Sequence, residues 1–215
     1  MKTSSQNDSR LWVVSLKKEI KPITEKEKKI ASKLSPFKAK EYTLVRGYTR
    51  FLLSKLFKIP ALDIPLNAPL GKPPFLEDNL GYISLSHCKD SILIGWSNNE
   101  LGVDIERKDR SFCAKGIANK FYSAEENYFL KNLGDDVYRY NVLKFWVLKE
   151  AAIKWQRGNI ANDLSNWEVK SNFRSSFHNL LKIKLETSFF EFDEWLIGIA
   201  YKNPEQKIKK MTFII

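Results

Sequence analysis

Residues 82–106 read YISLSHCKDSILIGWSNNELGVDIE, and this stretch decides the fold class. It contains three short apolar runs, at residues 82–86, 92–97 and 101–106. Turn-prone pairs, Lys89-Asp90 and Asn98-Asn99, join them. Runs of this length, bounded by Asn and Asp, predict three consecutive β-strands.

Further elements are predicted on both sides of these strands. Upstream, a strand is expected at 11–16, and Thr24 with Glu27 has the form of a capping box that starts a helix. Helices are predicted at about 24–34, 37–57, 114–121, 124–133 and 136–157, and later strands at 167–169, 180–192, 195–201 and 211–215. Because the elements come in successive groups rather than in strict alternation, the pattern favours an α+β fold over a doubly wound parallel sheet. Each half holds helices followed by strands, so we predict two similar subdomains, residues 1–103 and 104–215.

Composition limits the class of protein. The chain has 215 residues, of which 43% are hydrophobic, and this excludes intrinsic disorder. Its two cysteines, Cys88 and Cys113, cannot build a disulfide framework. Residues 1–10 show no secretory signal, and no apolar run reaches the ~20 residues of a membrane-spanning helix. We therefore expect a soluble, cytoplasmic protein without a membrane partner.

The net charge is +11, and the positive charge is unevenly distributed. Residues 17–72 hold 14 basic and five acidic residues. A surface of this kind attracts phosphates or acidic proteins. Charge alone leaves nucleic acid and an acidic protein partner equally open.

Two carboxylates are placed side by side by the last of the three strands. Asp104 and Glu106 are two positions apart, and such residues point to the same face of a strand. Neighbouring carboxylates repel unless a cation lies between them, and Mg²⁺ prefers oxygen ligands. The alternative is a solvated strand end, with the acids paired to Arg107 or Lys108.

One row of side chains is predicted along the longest downstream helix. Trp146, Glu150 and Lys154 are spaced i, i+4 and i+8, and Lys149 lies about 100° around the helix from Glu150. Glu150 and Lys154 could form an ordinary surface pair. In the functional interpretation, Glu150 is a third ligand of the metal ion, and the lysines bind phosphate oxygens.

Two further segments are ambiguous when taken alone. His87 ends a predicted strand, and its spacing alone favours a capping or turn residue. With two isolated cysteines, a zinc site that includes Cys88 is not expected. Gly71-Lys72 could approach a phosphate, although the frame of a P-loop is absent.

The order of these segments resembles the 4′-phosphopantetheinyl transferase superfamily, in particular its longer, pseudo-dimeric Sfp-type branch. The resemblance covers about residues 37–170. Two positions depart from the usual pattern, Cys88 in place of a serine and Tyr122 in place of a phenylalanine. The segments that carry the resemblance are Arg46 in RGYTR, Gly71-Lys72-Pro73, Ser84-Leu85-Ser86-His87, GVDIE at 102–106, FYSAEE at 121–126, and WVLKEAAIK at 146–154.

The resemblance implies a chemistry and a set of site residues. Members of the family move the phosphopantetheine arm of coenzyme A to a serine of an apo carrier protein and release adenosine 3′,5′-bisphosphate. The implied Mg²⁺ ligands are Asp104, Glu106 and Glu150, and Mn²⁺ would suit the same oxygens. The implied coenzyme A contacts are Arg46, Lys72, Ser84, Leu85, Ser86 and His87, with Lys149 and Lys154 near the diphosphate. Glu150, Lys149 and Lys154 are the expected catalytic residues, with Glu150 as the hypothetical general base, and the role of Glu126 is left open.

The resemblance also implies a fold and a partner. We expect two similar α+β subdomains related by a pseudo-two-fold axis, with the active site in the cleft between them. The expected partner is an acidic acyl, polyketide or peptidyl carrier protein rather than nucleic acid, and we expect a monomer. Two rival classes are a basic nucleic-acid-binding module and a non-catalytic coenzyme A-binding protein.

Overall fold

Helices and strands occupy most of the chain in the computed structural model, which describes residues 8–69, 71–206, 208 and 210–214. Leu70 of the predicted phosphate loop, Ile215 of the last predicted strand, and residues 1–7 lie outside the described residues. The helices are α1 Glu25–Ala31, α2 Pro36–Phe57, α3 Ala114–Phe121, α4 Ala124–Leu130, α5 Asp135–Gln156 and α6 Ile160–Asp163, and a 3₁₀ turn covers Ala61–Asp63. The strands are β1 Ser9–Ser15, β2 Leu66–Asn67, β3 Phe75–Leu76, β4 Tyr82–His87, β5 Ser91–Ser97, β6 Leu101–Arg107, β7 Trp167–Val169, β8 Ser175–His178, β9 Ile183–Phe192, β10 Trp195–Tyr201 and β11 Lys210–Ile214.

The first sheet has the order β11-β1-β5-β4. Helix α2 packs on it through Leu44, Tyr48 and Leu53, which are buried against Ile94 and Trp96. Short helix α1 begins with the predicted capping box: Thr24 accepts from the Glu27 backbone N–H, and the Glu27 carboxylate accepts from that of Thr24. Glu27 also forms a buried ion pair with Arg50 of α2, at 2.8 Å, so the cap fixes α1 on α2.

The second sheet is antiparallel and has the order β6-β10-β9-β8-β7. Helix α5 covers it, and Phe145, Val147 and Leu148 of this helix are fully buried with Leu196 of β10. Burial of side chains of this size stabilises the fold by ~1.5–3 kcal/mol each before the entropy cost of folding.

The two sheets meet where β4 runs beside β6. The contacts across this junction include side-chain hydroxyl groups: Ser84 Oγ accepts from the Val103 backbone N–H at 3.1 Å, and Ser86 Oγ accepts from that of Ile105 at 3.4 Å. Because both serines are buried, these bonds satisfy backbone donors at the edge of β6 that water cannot reach. The junction therefore fixes the end of β4 against the strand that carries Asp104.

The α+β prediction is confirmed, and the described residues include no helix with the length and apolarity to cross a membrane. The boundary that we predicted between residues 103 and 104 falls inside β6, which belongs wholly to the second sheet. Strand β11 returns to the first sheet and pairs with β1 in parallel. The strand predicted at 180–192 begins at Ile183, because a turn separates it from β8, which the sequence analysis missed. The pseudo-two-fold axis stays a prediction.

Candidate active site

Three carboxylates converge where β6 lies against α5. Asp104 and Glu106 extend from β6 and Glu150 from α5, and each offers an oxygen within 4.8 Å of the others. We call these three residues the carboxylate cluster. Asp104 and Glu150 are buried, and Glu106 is half-buried. The structure thus brings together the three residues that the sequence resemblance implied as metal ligands.

Local backbone packing explains the convergence. Asp104 and Glu106 share one face of β6 because they are two positions apart on a strand. Gly102 lets this strand approach α5 closely, since a Cβ atom at that position would lie 1.9 Å from the Ala151 carbonyl oxygen. Ala151 is the residue after Glu150, so the missing side chain at Gly102 allows the two elements to bring their carboxylates together.

Lys154 enters the cluster from the next turn of α5. Its Nζ lies 2.6 Å from Asp104 Oδ1 and 3.7 Å from Glu150 Oε2. Ser86 at the end of β4 donates to Asp104 Oδ1 at 2.6 Å and accepts from Lys154 Nζ at 2.7 Å. Residues from β4, β6 and α5 therefore form one hydrogen-bonded group.

The electrostatics of the cluster favour a bound divalent cation. Burial, with the nearby Asp104 charge as the second cause, raises the pKa of Glu106 to about 7. Burial, followed by the charge of Asp104, raises the pKa of Glu150 to about 8. Asp104 Oδ2 is buried and has no hydrogen-bond partner among the residues that the structure describes. Crowded carboxylate oxygens with one unsatisfied lone-pair donor fit a hard cation such as Mg²⁺ or Mn²⁺.

A second cation, which the sequence analysis missed, contacts the cluster from outside. The Arg110 guanidinium forms an ion pair with Glu106. It lies against two aromatic rings, with Cζ 5.3 Å from the ring centroid of Phe112 and 5.5 Å from that of Trp146. The available signal was a basic residue four positions after Glu106, but residues 107–110 form a turn that periodicity does not resolve.

A cleft of about 240 Å³ opens beside Lys154. It is bounded by the end of α5 and by the loop at Pro73, and Arg157 ties that loop to the helix by donating to the Pro73 carbonyl at 3.0 Å. Ser84 and Leu85 face it from β4, so these two predicted contacts and Lys154 share one cavity. The full lining is Pro73, Pro74, Tyr82, Ile83, Ser84, Leu85, Glu100, Leu101, Lys154, Trp155, Arg157 and Gly158.

The remaining basic residues predicted at the site lie outside this lining. Lys72 is exposed in the turn that precedes Pro73. His87, at the end of β4, pairs through Nδ1 with Glu41 of α2 at 2.9 Å. Arg46 of the same helix has its Cζ 5.2 Å from the Tyr42 ring centroid. The structure thus does not bring these three residues into contact with the cluster.

Lys149 occupies a different place from the one predicted for it beside the diphosphate. Its side chain is 0% exposed, and Nζ lies 2.8 Å from Glu126 Oε2 and donates to the Phe121 carbonyl at 3.0 Å. The other Glu126 oxygen accepts from the Val169 backbone N–H, so both members of the pair are satisfied inside the protein. This burial leaves the Lys149 ammonium no open approach to a ligand. The pair gives Glu126, whose role was open, a structural explanation.

Comparison with known proteins agrees with this geometry. Residues 100–200 match the family model described as the 4′-phosphopantetheinyl transferase superfamily. The matched segment includes all three members of the carboxylate cluster and Lys154. No curated protein matches the chain.

Proposed function

We propose that the chain, whose residues 100–200 match the family model of the 4′-phosphopantetheinyl transferase superfamily, moves the 4′-phosphopantetheine arm of coenzyme A to a serine of an apo carrier protein. Adenosine 3′,5′-bisphosphate would be the second product. The observation that carries this proposal is the convergence of Asp104, Glu106 and Glu150 at the edge of a cleft that contains Lys154.

The carboxylate cluster would hold the divalent cation. Its oxygens are close enough together to share one ion, and the unpartnered Asp104 Oδ2 is available as a ligand atom. When bound, Mg²⁺ or Mn²⁺ supplies positive charge that offsets charge on the diphosphate oxygens. Ser86 orients Asp104 by its hydrogen bond, which is the support that a metal ligand commonly receives from its surroundings.

The cleft would bind coenzyme A. Lys154 lies at the border between the cleft and the cluster, so its ammonium would exchange Asp104 for a phosphate oxygen when coenzyme A is bound. Ser84 and Leu85 would contact the nucleotide end. We propose that the 3′-phosphate is bound by Lys72, Arg46 and His87, because these residues match coenzyme A contacts in the sequence resemblance.

We propose Glu150 as the base for the transfer step. The serine oxygen of the carrier bonds to the phosphorus that bears pantetheine, and the bond from that phosphorus to the oxygen of adenosine bisphosphate breaks. The serine proton goes to Glu150, either directly or through one water. Glu150 Oε2 lies 3.7 Å from Lys154 Nζ. Because Lys154 is proposed to bind the phosphates, the Glu150 carboxylate would lie near them.

The partner would be an acidic carrier, and the basic segment 17–72 would attract it. We also propose a monomeric cytoplasmic protein. A nucleic-acid-binding module would explain the net charge as well, but the three carboxylates would repel a phosphate backbone at this cleft. A non-catalytic coenzyme A-binding protein would need the cleft, yet it would not need a base beside the phosphates.

Mass spectrometry of an apo carrier protein tests the proposal. The carrier is incubated with the protein, coenzyme A and Mg²⁺, and a mass increase equal to one phosphopantetheine arm is expected. Excess EDTA and the variant Asp104→Asn should each abolish the increase. Asp136→Asn, in the exposed first turn of α5, is the matched control and should behave as wild type. Binding of coenzyme A without any mass increase on several carriers would favour the non-catalytic alternative.

A further inference from the structure

Two basic side chains already compensate part of the charge of the carboxylate cluster. Lys154 contacts Asp104, and Arg110 contacts Glu106. A divalent cation binds carboxylates in their deprotonated form. In that form, the three carboxylates and the two cations leave one negative charge. A divalent ion added alone would therefore make the group positive and would deprive both basic side chains of their partners. Electrostatics then favour an anion that arrives with the metal ion.

The surroundings of Arg110 allow it to change partners. Its side chain is 29% exposed, and the Phe112 and Trp146 rings lie close to its guanidinium. Such rings stabilise a guanidinium without binding any of its N–H groups. Trp146 is also one helical turn before Glu150 on α5, so the rings keep Arg110 next to the cluster when the Glu106 contact is broken.

We propose that Arg110 is a built-in counter-ion that a divalent cation displaces from Glu106, and that the released guanidinium then pairs with a diphosphate oxygen of coenzyme A. This inference rests on the proposed function, because it assumes that coenzyme A occupies the cleft. The consequence is that the metal ion binds weakly alone and that metal and coenzyme A strengthen each other's binding. Such coupling is reciprocal by thermodynamic necessity.

Titration with Mn²⁺, with the free ion measured by electron paramagnetic resonance, tests the displacement without any transfer assay. In the absence of coenzyme A, Arg110→Gln should bind Mn²⁺ about tenfold more tightly than wild type, because no ion pair has to be broken. Arg110→Lys retains the charge and should stay close to wild type. Lys108→Gln is the charge-matched control, since Lys108 lies 3.8 Å from Glu191 and takes no part in the cluster.

The same titration is repeated with saturating coenzyme A. In wild type, coenzyme A should tighten Mn²⁺ binding by about tenfold or more, and Arg110→Gln should lose most of this coupling. A thermal melt checks folding. If Arg110→Gln is unfolded, Arg110→Met, which keeps an unbranched side chain beside the rings, replaces it.

Two outcomes would overturn the inference. One is Mn²⁺ binding by Arg110→Gln no tighter than that of Lys108→Gln. The other is an equal effect of coenzyme A in wild type and Arg110→Gln. A protein that shows the expected Mn²⁺ pattern but modifies no carrier would keep this inference and lose the proposed transfer reaction, so the two failures are distinguishable.

Discussion

Lys149 and Glu150 are neighbours in the chain, yet they belong to two groups of buried charge that differ in balance. Lys149 forms a closed pair with Glu126, one cation with one anion, and backbone groups satisfy both. Glu150 belongs to the carboxylate cluster, which sets three acidic side chains against two basic ones and leaves Asp104 Oδ2 without a partner among the described residues. Burial alone therefore does not separate structure from function in this protein. The balance between buried acidic and basic side chains is what distinguishes the structural pair from the candidate active site.

Replacement of Lys149 should have the largest effect on stability. Lys149→Met leaves Glu126 buried without its cation and should lower the free energy of unfolding by about 3–5 kcal/mol, measured by urea denaturation. The double variant Glu126→Gln with Lys149→Met should recover most of that loss, because no isolated charge remains. If Lys149→Met alone is as stable as wild type, the Lys149–Glu126 pair is not a structural element that differs in role from the carboxylate cluster.

Replacement of Glu150 should act on activity instead. Glu150→Gln should slow arm transfer by about a hundredfold or more, through loss of a proton acceptor and a metal ligand. Its free energy of unfolding should be unchanged or higher, because one of three repelling carboxylates is removed. Asp136→Asn, on the same helix, is the control. Near-normal turnover of Glu150→Gln would remove the base assignment.

A third buried pair extends the comparison to the first sheet and makes it pH-dependent. Burial opposes ionisation of Glu27, but hydrogen bonds from Arg50 and Thr24 and the Arg50 charge together lower its pKa below the ordinary 4.5. The folded protein thus binds this proton less readily than the unfolded chain does. The stabilisation is fully present above the unfolded pKa and is lost as the pH falls through the lower, folded pKa.

Urea denaturation between about pH 6 and pH 3 measures this contribution. Glu27→Gln should lose about 1–2 kcal/mol at pH 6 and should lose less stability than wild type on acidification. Glu25→Gln, an exposed position of the same helix, should show the wild-type slope. Equal slopes for all three proteins would assign the acid sensitivity to other carboxylates.

The smallest effect concerns charge on the surface rather than in the interior. If segment 17–72 attracts an acidic carrier, the KM for the carrier should rise a few-fold between about 50 and about 300 mM salt. Turnover at saturating carrier should stay nearly constant, since the buried groups are screened little. A KM independent of salt would exclude the attraction.

Periodicity predicted the side of the site that lies on regular elements. The strand spacing of Asp104 and Glu106 and the helical spacing of Glu150 and Lys154 follow from local geometry, and the structure has both. The burial of Lys149 in an ion pair does not follow from spacing, because its partner, Glu126, lies in the first turn of α4. Ser123-x-x-Glu126 is itself a capping box, and recognition of this pattern would have assigned Glu126 to the fold.

The tertiary relations could not be derived from local patterns. The contact of Ser86 with Lys154 joins the end of β4 to α5, and no local periodicity relates them. The predicted boundary between residues 103 and 104 stays a prediction, and it falls inside β6 for a similar reason. An apolar run in the sequence predicts a strand but does not show which sheet that strand joins. The membership of β6 in the second sheet and of β11 in the first therefore depends on long-range packing.

The parallel pairing of β1 with β11 has a consequence for biosynthesis. Arg10 is the partner of Lys210, so the first sheet lacks strand β11 until residues 210–214 have been synthesised, about 200 residues after β1. In the meantime the edge of β1 exposes unpaired backbone groups, which are prone to association with other chains. A stop codon just before residue 210 should therefore yield a product that aggregates more readily than the chain with β11.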